Sequence, residues 1–226
     1  MITDNAIRAE ILIQAVPYIK EYTGKYVVAK YGGNAMTDPV LKKNVMQDIL
    51  LLHLIGVNVI LVHGGGPDIN AMLDALKIES HFENGLRVTD KDTMDVVQMV
   101  LAGKVNKGLV AYLTALGGKA IGLCGIDGNM IQVHTKDEKL GLVGEIDHID
   151  TDVIDSTLSA GFIPVISSVG IDSHGQPHNI NADTAATKIA AALNADQHDI
   201  LYAMVSFDDL MGNPKHCAVH RRAVHQ

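Results

Sequence analysis

Hydrophobic positions along this chain switch between two periods. Residues 26–31 (Tyr-Val-Val-Ala-Lys-Tyr) and 59–62 (Val-Ile-Leu-Val) are short, nearly unbroken apolar runs rich in β-branched side chains. Such runs predict strands buried on both faces. Between and around them apolar residues return every three or four positions, which predicts helices. The first covers residues 5–22, with Ile7, Ile11, Ala15, Tyr18 and Tyr22 in one row and Leu12, Val16 and Ile19 in a second. Thr3 or Asp4 could cap it, and Pro17 is expected to bend or divide it. Its wide apolar face needs a partner, either its own domain or another subunit. Asp38 as N-cap and Pro39 at the first helical position open a helix running to about Ile55, which Gly56 closes.

The strand ending at Val62 runs through His63 into Gly64-Gly65-Gly66-Pro67, followed by a helical row of Ile69, Met72, Leu73 and Leu76. A hairpin is predicted around Asn84-Gly85 within 82–88. Thr89 or Asp90 caps a helix through Leu101, Gly103 interrupts it, and 105–116 is helical again. Residues 120–124 form a small-residue strand. Residues 125–148 carry a scattered β pattern with turns at Asp127-Gly128 and Leu140-Gly141. A helix over 151–160, capped by Thr151 or Asp152, precedes a strand at 162–166 and a turn at 172–176. An alanine-rich helix starts at Asn181 or Asp183 and reaches Leu193, and 200–205 is the last strand. Strand, helix and strand in this order make a right-handed βαβ unit with parallel strands. Both Gly32-Gly33 and Gly64-Gly65-Gly66 then fall at the carboxyl ends of parallel strands, where open α/β sheets bind ligands.

Composition narrows the function classes. The 226 residues, 47% hydrophobic and 19% charged, suit one large or two modest globular domains. A net charge of −8 argues against a general nucleic-acid binder. Cys124 and Cys217 make no disulfide framework, the first ten residues are polar, and no apolar run approaches a membrane span. A cytoplasmic protein with no membrane and no nucleic-acid partner is expected.

Candidate chemistry gathers at the glycine turns. Three consecutive glycines let an anion approach backbone N–H groups at a helix N-terminus; the alternative is a tight turn. Lys30, one residue before the Gly32 turn, could stabilise charge on a transferring phosphoryl group, or could snorkel to water from an edge strand. Arg87 could grip a carboxylate with its planar fork, or be a solvated loop arginine. Around Asn179-Ile180-Asn181-Ala182-Asp183, capping accounts for Asn181 or Asp183 and leaves the others for a ligand or for orienting a lysine. His63 reads as packed at the strand end rather than as a general base. His174 and His178 lack further obvious ligands, and His216, Cys217, His220 and His225 close no zinc site. No P-loop, dinucleotide fingerprint, protein-kinase catalytic loop or GxSxG elbow occurs.

In order and separation, Ala29-Lys30-Tyr31-Gly32-Gly33-Asn34, Val62-His63-Gly64-Gly65-Gly66-Pro67, Asn84-Gly85-Leu86-Arg87-Val88-Thr89 and Asn179-Ile180-Asn181-Ala182-Asp183 resemble the motifs of the amino-acid-kinase family over about residues 5–200. The Gly-Leu-Arg-Val-Thr hairpin resembles its acetylglutamate-phosphorylating branch. The resemblance implies an α/β fold, an open, mainly parallel sheet in an α/β/α sandwich of the amino-acid-kinase or carbamate-kinase-like kind. It implies phosphoryl transfer from MgATP to the side-chain carboxylate of N-acetyl-L-glutamate, a step of arginine biosynthesis. By that likeness Lys30 is catalytic and Asp183 orients it, while Gly32, Gly33 and Gly65 donate N–H groups to phosphate. Gly65, Gly66, Arg87 and Asn179 bind the substrate. Mg2+ would ride on the ATP phosphates with few or no direct protein ligands. The first helix resembles the extension through which some members build hexamers from dimers, so a homo-oligomer is implied.

The resemblance also has an end. Family members continue beyond this length and carry an Asp-Val-x-Gly turn after the strand at Ile200, where this chain reads Ala203-Met204-Val205-Ser206-Phe207-Asp208-Asp209. It therefore implies a helical extension at 1–24 and a substrate-binding and phosphoryl-transfer domain at 25–198. Residues 199–226 would be a truncated start of the ATP-binding part with a divergent tail. An alternative expectation follows, a catalytically impaired fragment that only binds acetylglutamate or other subunits.

Overall fold

The computed structural model describes residues 5–195 and 200–205. The caps expected of Thr3 or Asp4, and the cysteine and histidines of 206–226, lie outside the described residues.

A five-stranded sheet organises the chain. Its strands are β1 (Tyr26–Tyr31), β2 (Asn58–His63), β5 (Ala120–Cys124), β8 (Ile163–Ser167) and β11 (Ile200–Val205), in the order β11-β1-β2-β8-β5, every pair parallel. β1 thus lies between β11 and β2, and β11 pairs with it along its whole length. The unbroken apolar runs are explained by two cores. Ala29, Tyr31, Val59 and Leu61 point to one face; Val28, Ile60 and Val62 point to the other, all buried.

The first face is covered by α2 (Pro39–Leu54), α3 (Gly66–Leu76), α4 (Lys91–Gln98) and α5 (Asn106–Ala115). The second is covered by α6 (Asp152–Ser159), α7 (Ala182–Ala195) and a smaller sheet. That sheet contains β6 (Ile131–Thr135), β7 (Gly144–Ile149), β9 (Val169–Ile171) and β10 (Pro177–Asn179), in the order β10-β9-β6-β7. The predicted hairpin forms as β3 (Phe82–Glu83) and β4 (Leu86–Arg87). The predicted α/β/α sandwich on a mainly parallel sheet is the fold observed.

Several local expectations need correction. α1 (Asn5–Tyr22) runs through Pro17 without dividing. No residue of it is buried, and Leu12, Ile13 and Val16 are well exposed, so the domain itself does not cover its apolar face. Gly103 does not interrupt its helix. Residues 91–115 are continuous, widened into a π-helical segment at Met99–Val105. One glycine costs a helix interior only about 1 kcal/mol, which the burial of Val100, Leu101 and Val105 offsets. Asp90 rather than Thr89 caps α4, its Oδ1 accepting from Thr93 N at 2.8 Å. Neither Thr151 nor Asp152 caps α6 with its side chain; Asp150 Oδ1 accepts from Asp152 N at 3.0 Å. The turn at 172–176 joins β9 to β10, a hairpin that its short, mixed strands concealed.

Candidate active site

The register between β1 and β2 sets Lys30 beside Val62 and Tyr31 beside His63, so the two glycine turns leave the sheet at the same level. Gly64 N donates to Tyr31 O at 3.3 Å, joining them. Below the first turn, Tyr31 donates its hydroxyl to Ala35 O at 2.9 Å, tying the strand to the 3-10 turn Gly33–Met36. Burial first, then the charge of Asp68, pushes this phenol up to about 12, so it stays a neutral donor.

All eight residues singled out from sequence line one cavity of about 210 Å³: Lys30, Gly32, Gly33, Gly65, Gly66, Arg87, Asn179 and Asp183. Lys30 is not on an edge strand. Its side chain is 13% exposed, and its Nζ lies 2.9 Å from Asp183 Oδ1. That oxygen is buried and has no other partner, so the contact is an ion pair rather than an aligned hydrogen bond. Gly32 makes room for it, since a Cβ there would stand 3.1 Å from Lys30 Cε and Nζ. Asn181 takes the capping duty at α7, its Oδ1 accepting from Asp183 N at 2.9 Å and Thr184 N at 3.0 Å. Asp183 is thereby free to face the lysine.

Two helices begin at this cavity. α3 has Gly65 at its N-cap with no side-chain cap, so its first-turn N–H groups are left for a ligand. α7 begins beside it, with Ala182 Cβ 3.2 Å from where a Cβ on Gly64 would stand. Two helix N-termini and a lysine favour an anion. A larger groove of about 530 Å³ along Ile146 to Asp152 and Lys188 holds none of these residues. Three aspartates line it against one lysine, the wrong sign for phosphate.

Arg87 is no solvated loop residue; it is 6% exposed. One terminal nitrogen donates to Ser80 Oγ, the other to Asn70 Oδ1 at 2.5 Å, and the guanidinium lies 4.6 Å from the Phe82 ring centroid. Burial lowers its pKa from the usual arginine range. A guanidinium has five N–H donors, so two bonds leave three for a ligand. Asn179 Nδ2 donates to Thr89 Oγ1 at 3.2 Å, and that hydroxyl donates to Arg87 O at 2.8 Å. Thr89 therefore links the Asn179 side chain to the Arg87 backbone.

Sequence reading missed Asn70 and Ser80, which hold Arg87, and Asn106, whose Nδ2 lies 3.1 Å from His63 Nε2, and it took Thr89 for a possible cap rather than a link. Asn106 left a signal: it is a polar residue three positions before Leu109 and seven before Leu113 on a buried helical stripe. Asn70 and Ser80 left none. Among the described residues no group of three or more His, Cys, Asp or Glu could hold a metal ion.

Acetylglutamate kinase of Brachyspira hyodysenteriae is 55% identical over 194 residues, covering 85% of this chain and 67% of that protein. Acetylglutamate kinase of Syntrophomonas wolfei is 50% identical over 216 residues, covering 95% and 74%. Among solved structures, N-acetylglutamate synthase of Neisseria gonorrhoeae, complexed with coenzyme A and N-acetyl-glutamate, superposes with a TM-score of 0.71 at 26% identity, over 86% of this chain and 45% of that one. Residues 25–204 match the amino acid kinase family as a whole. By that match and by relatives at about half identity, this chain belongs to the amino acid kinase family.

Proposed function

We propose that this chain is an acetylglutamate kinase, transferring the terminal phosphoryl group of ATP to the side-chain carboxylate of N-acetyl-L-glutamate, in arginine biosynthesis. One observation carries the reading. The Lys30–Asp183 pair, both glycine turns and the anchored Arg87 fork all line one small cavity.

In the proposed reaction a substrate carboxylate oxygen attacks the γ-phosphorus, the bond to the β-phosphate oxygen breaks, and ADP leaves with the electron pair. Lys30 and the N–H groups of Gly32, Gly33 and Gly65 neutralise charge on the transferring group, where such chemistry needs positioning and electrostatics most. Asp183 holds the ammonium in place. Arg87 takes the α-carboxylate with its remaining donors, and Asn179 and Gly66 complete the acid's polar contacts. Mg2+, carried on the nucleotide phosphates, would supply further charge neutralisation. The apolar face of α1 packs against another copy of the chain, and the protein works in the cytoplasm; among the described residues no helix is long and apolar enough to cross a membrane. The alternative, a chain that binds acetylglutamate without phosphorylating it, is not favoured by relatives at about half identity that are kinases by name.

Trapping of the acyl phosphate with hydroxylamine, in the presence of ATP, Mg2+ and acetylglutamate, tests the reading. Lys30→Ala should lower kcat by about 100- to 1000-fold, the cost of losing one charge-stabilising donor. Absence of hydroxamate from the unmodified chain, or full turnover in the variant, would sink it.

A further inference from the structure

We propose that His63 and Asn106 are positioning residues, a relay that aims the Gly65 N–H into the active cavity. The inference rests on the kinase reading above for its catalytic consequence, but not for its geometry.

His63 ends β2 and is fully buried. Its Nδ1 lies 2.9 Å from Gly64 O and its Nε2 lies 3.1 Å from Asn106 Nδ2. A carbonyl only accepts, so Nδ1 carries the hydrogen; an amide nitrogen only donates, so Nε2 is the bare acceptor. The Asn106 orientation is itself fixed, because Nδ2 also sits 2.8 Å from Val165 O and 3.1 Å from Leu123 O; its two hydrogens serve these three acceptors, one of them shared. Its Oδ1 is buried without a hydrogen bond, over Gly122, where a Cβ would collide with it. An unpaired buried acceptor is costly, so this amide is held for what its nitrogen does. Burial pushes the imidazole down to about 4, which keeps the ring neutral and the relay in one direction.

The consequence lies in one peptide plane. Gly64 C=O and Gly65 N–H belong to the same trans peptide unit and point in opposite directions. Holding the carbonyl on the His63 ring turns the Gly65 N–H away from the ring. Gly65 lines the cavity, and its N–H is one proposed to meet the transferring phosphoryl group. The π-helical segment is the relay's base. Just before Asn106, Leu101 Cδ2 and Val105 Cγ2 stand 2.7 and 3.2 Å from where a Cβ on Gly65 would be. From the same segment Lys104 pairs with Asp68 of α3 at 2.8 Å. A π-turn inside a helix is often found at functional sites, and here Leu101 and Val105 wall in Gly65 while Lys104 holds the first turn of α3.

Two variants separate the two bonds. His63→Asn keeps a donor where Nδ1 stood, and His63→Gln keeps an acceptor facing Asn106 while losing the bond to Gly64. His63→Gln should lower kcat about 10- to 100-fold, part of the loss of one oxyanion donor, with the KM for acetylglutamate within about twofold. His63→Asn should recover most of it. Long-range 1H–15N spectra of the unmodified protein should show a neutral Nδ1–H ring between pH 5 and 7. The Gly65 amide resonance should shift in His63→Gln and stay in His63→Asn. A ring protonated on Nε2, a Gly65 amide indifferent to both variants, or wild-type kcat in His63→Gln would overturn the proposal. An unmodified chain without turnover would overturn the kinase reading instead, and the spectra would still decide the relay.

Discussion

Acid should weaken this fold through His63, by an amount the structure sets. The perturbation is acidification from pH 7 to below 4, with His63→Gln as the control that cannot titrate. Burial is the larger cause of the ring's depressed pKa of about 4; the Gly64 bond, which favours an N–H on the ring, opposes it weakly. In the unfolded chain the ring returns to about 6.5. Between those values the unfolded state binds a proton that the native state refuses, so stability falls as pH falls through that window. Above pH 6.5 neither state is protonated and the ring costs nothing; below 4 both are, and the loss is complete. At about 1.4 kcal/mol per pH unit, the loss is about 1 kcal/mol at pH 6, about 2 at pH 5 and about 3 in full. Against a domain stability of roughly 5–15 kcal/mol that is a large share. Urea unfolding followed by circular dichroism, at constant ionic strength, gives the difference between the two proteins at each pH. Carboxylates common to both cancel. The unmodified protein should lose about 2 kcal/mol more than the variant between pH 7 and 5. Parallel pH profiles would refute the buried neutral ring.

Two further outcomes follow from the packing. Gly65→Ala forces a Cβ to within 2.7 Å of buried Leu101, so it should destabilise by about 1–3 kcal/mol in thermal unfolding and lose hydroxamate formation; a variant with unchanged stability would contradict this close approach. Leu12→Asp with Val16→Asp, on the exposed face of α1, should lower the mass seen in sedimentation while leaving acetylglutamate KM unchanged; a monomeric unmodified chain would refute the oligomer reading.

Much of the fold was legible because it depends on short-range rules. The β-branched run Val59-Ile60-Leu61-Val62 between turn residues reads as a strand buried on both faces, and Asp38-Pro39 suits a helix start. The continuous helix through Gly103 and the passage of α1 through Pro17 were not legible. Local penalties of about 1–3 kcal/mol were read as breaks, whereas burial on neighbouring turns outweighed the glycine.

The sequence by itself determined the strand-and-helix order, the placing of both glycine turns at strand ends, and the kinds of residue present there. Its motifs placed the chain in a family. Only the tertiary structure removed the surface alternatives at Lys30 and Arg87 and gave the helix cap to Asn181. An ammonium beside a carboxylate 153 positions away, or a guanidinium held by Asn70 and Ser80, is a contact between elements that no periodicity encodes. The same holds for the glycine turn. Its three residues announce a close approach, but what approaches from behind, the His63–Asn106 relay and the π-helical wall, is set by how the helix from 91 to 115 lies on the sheet.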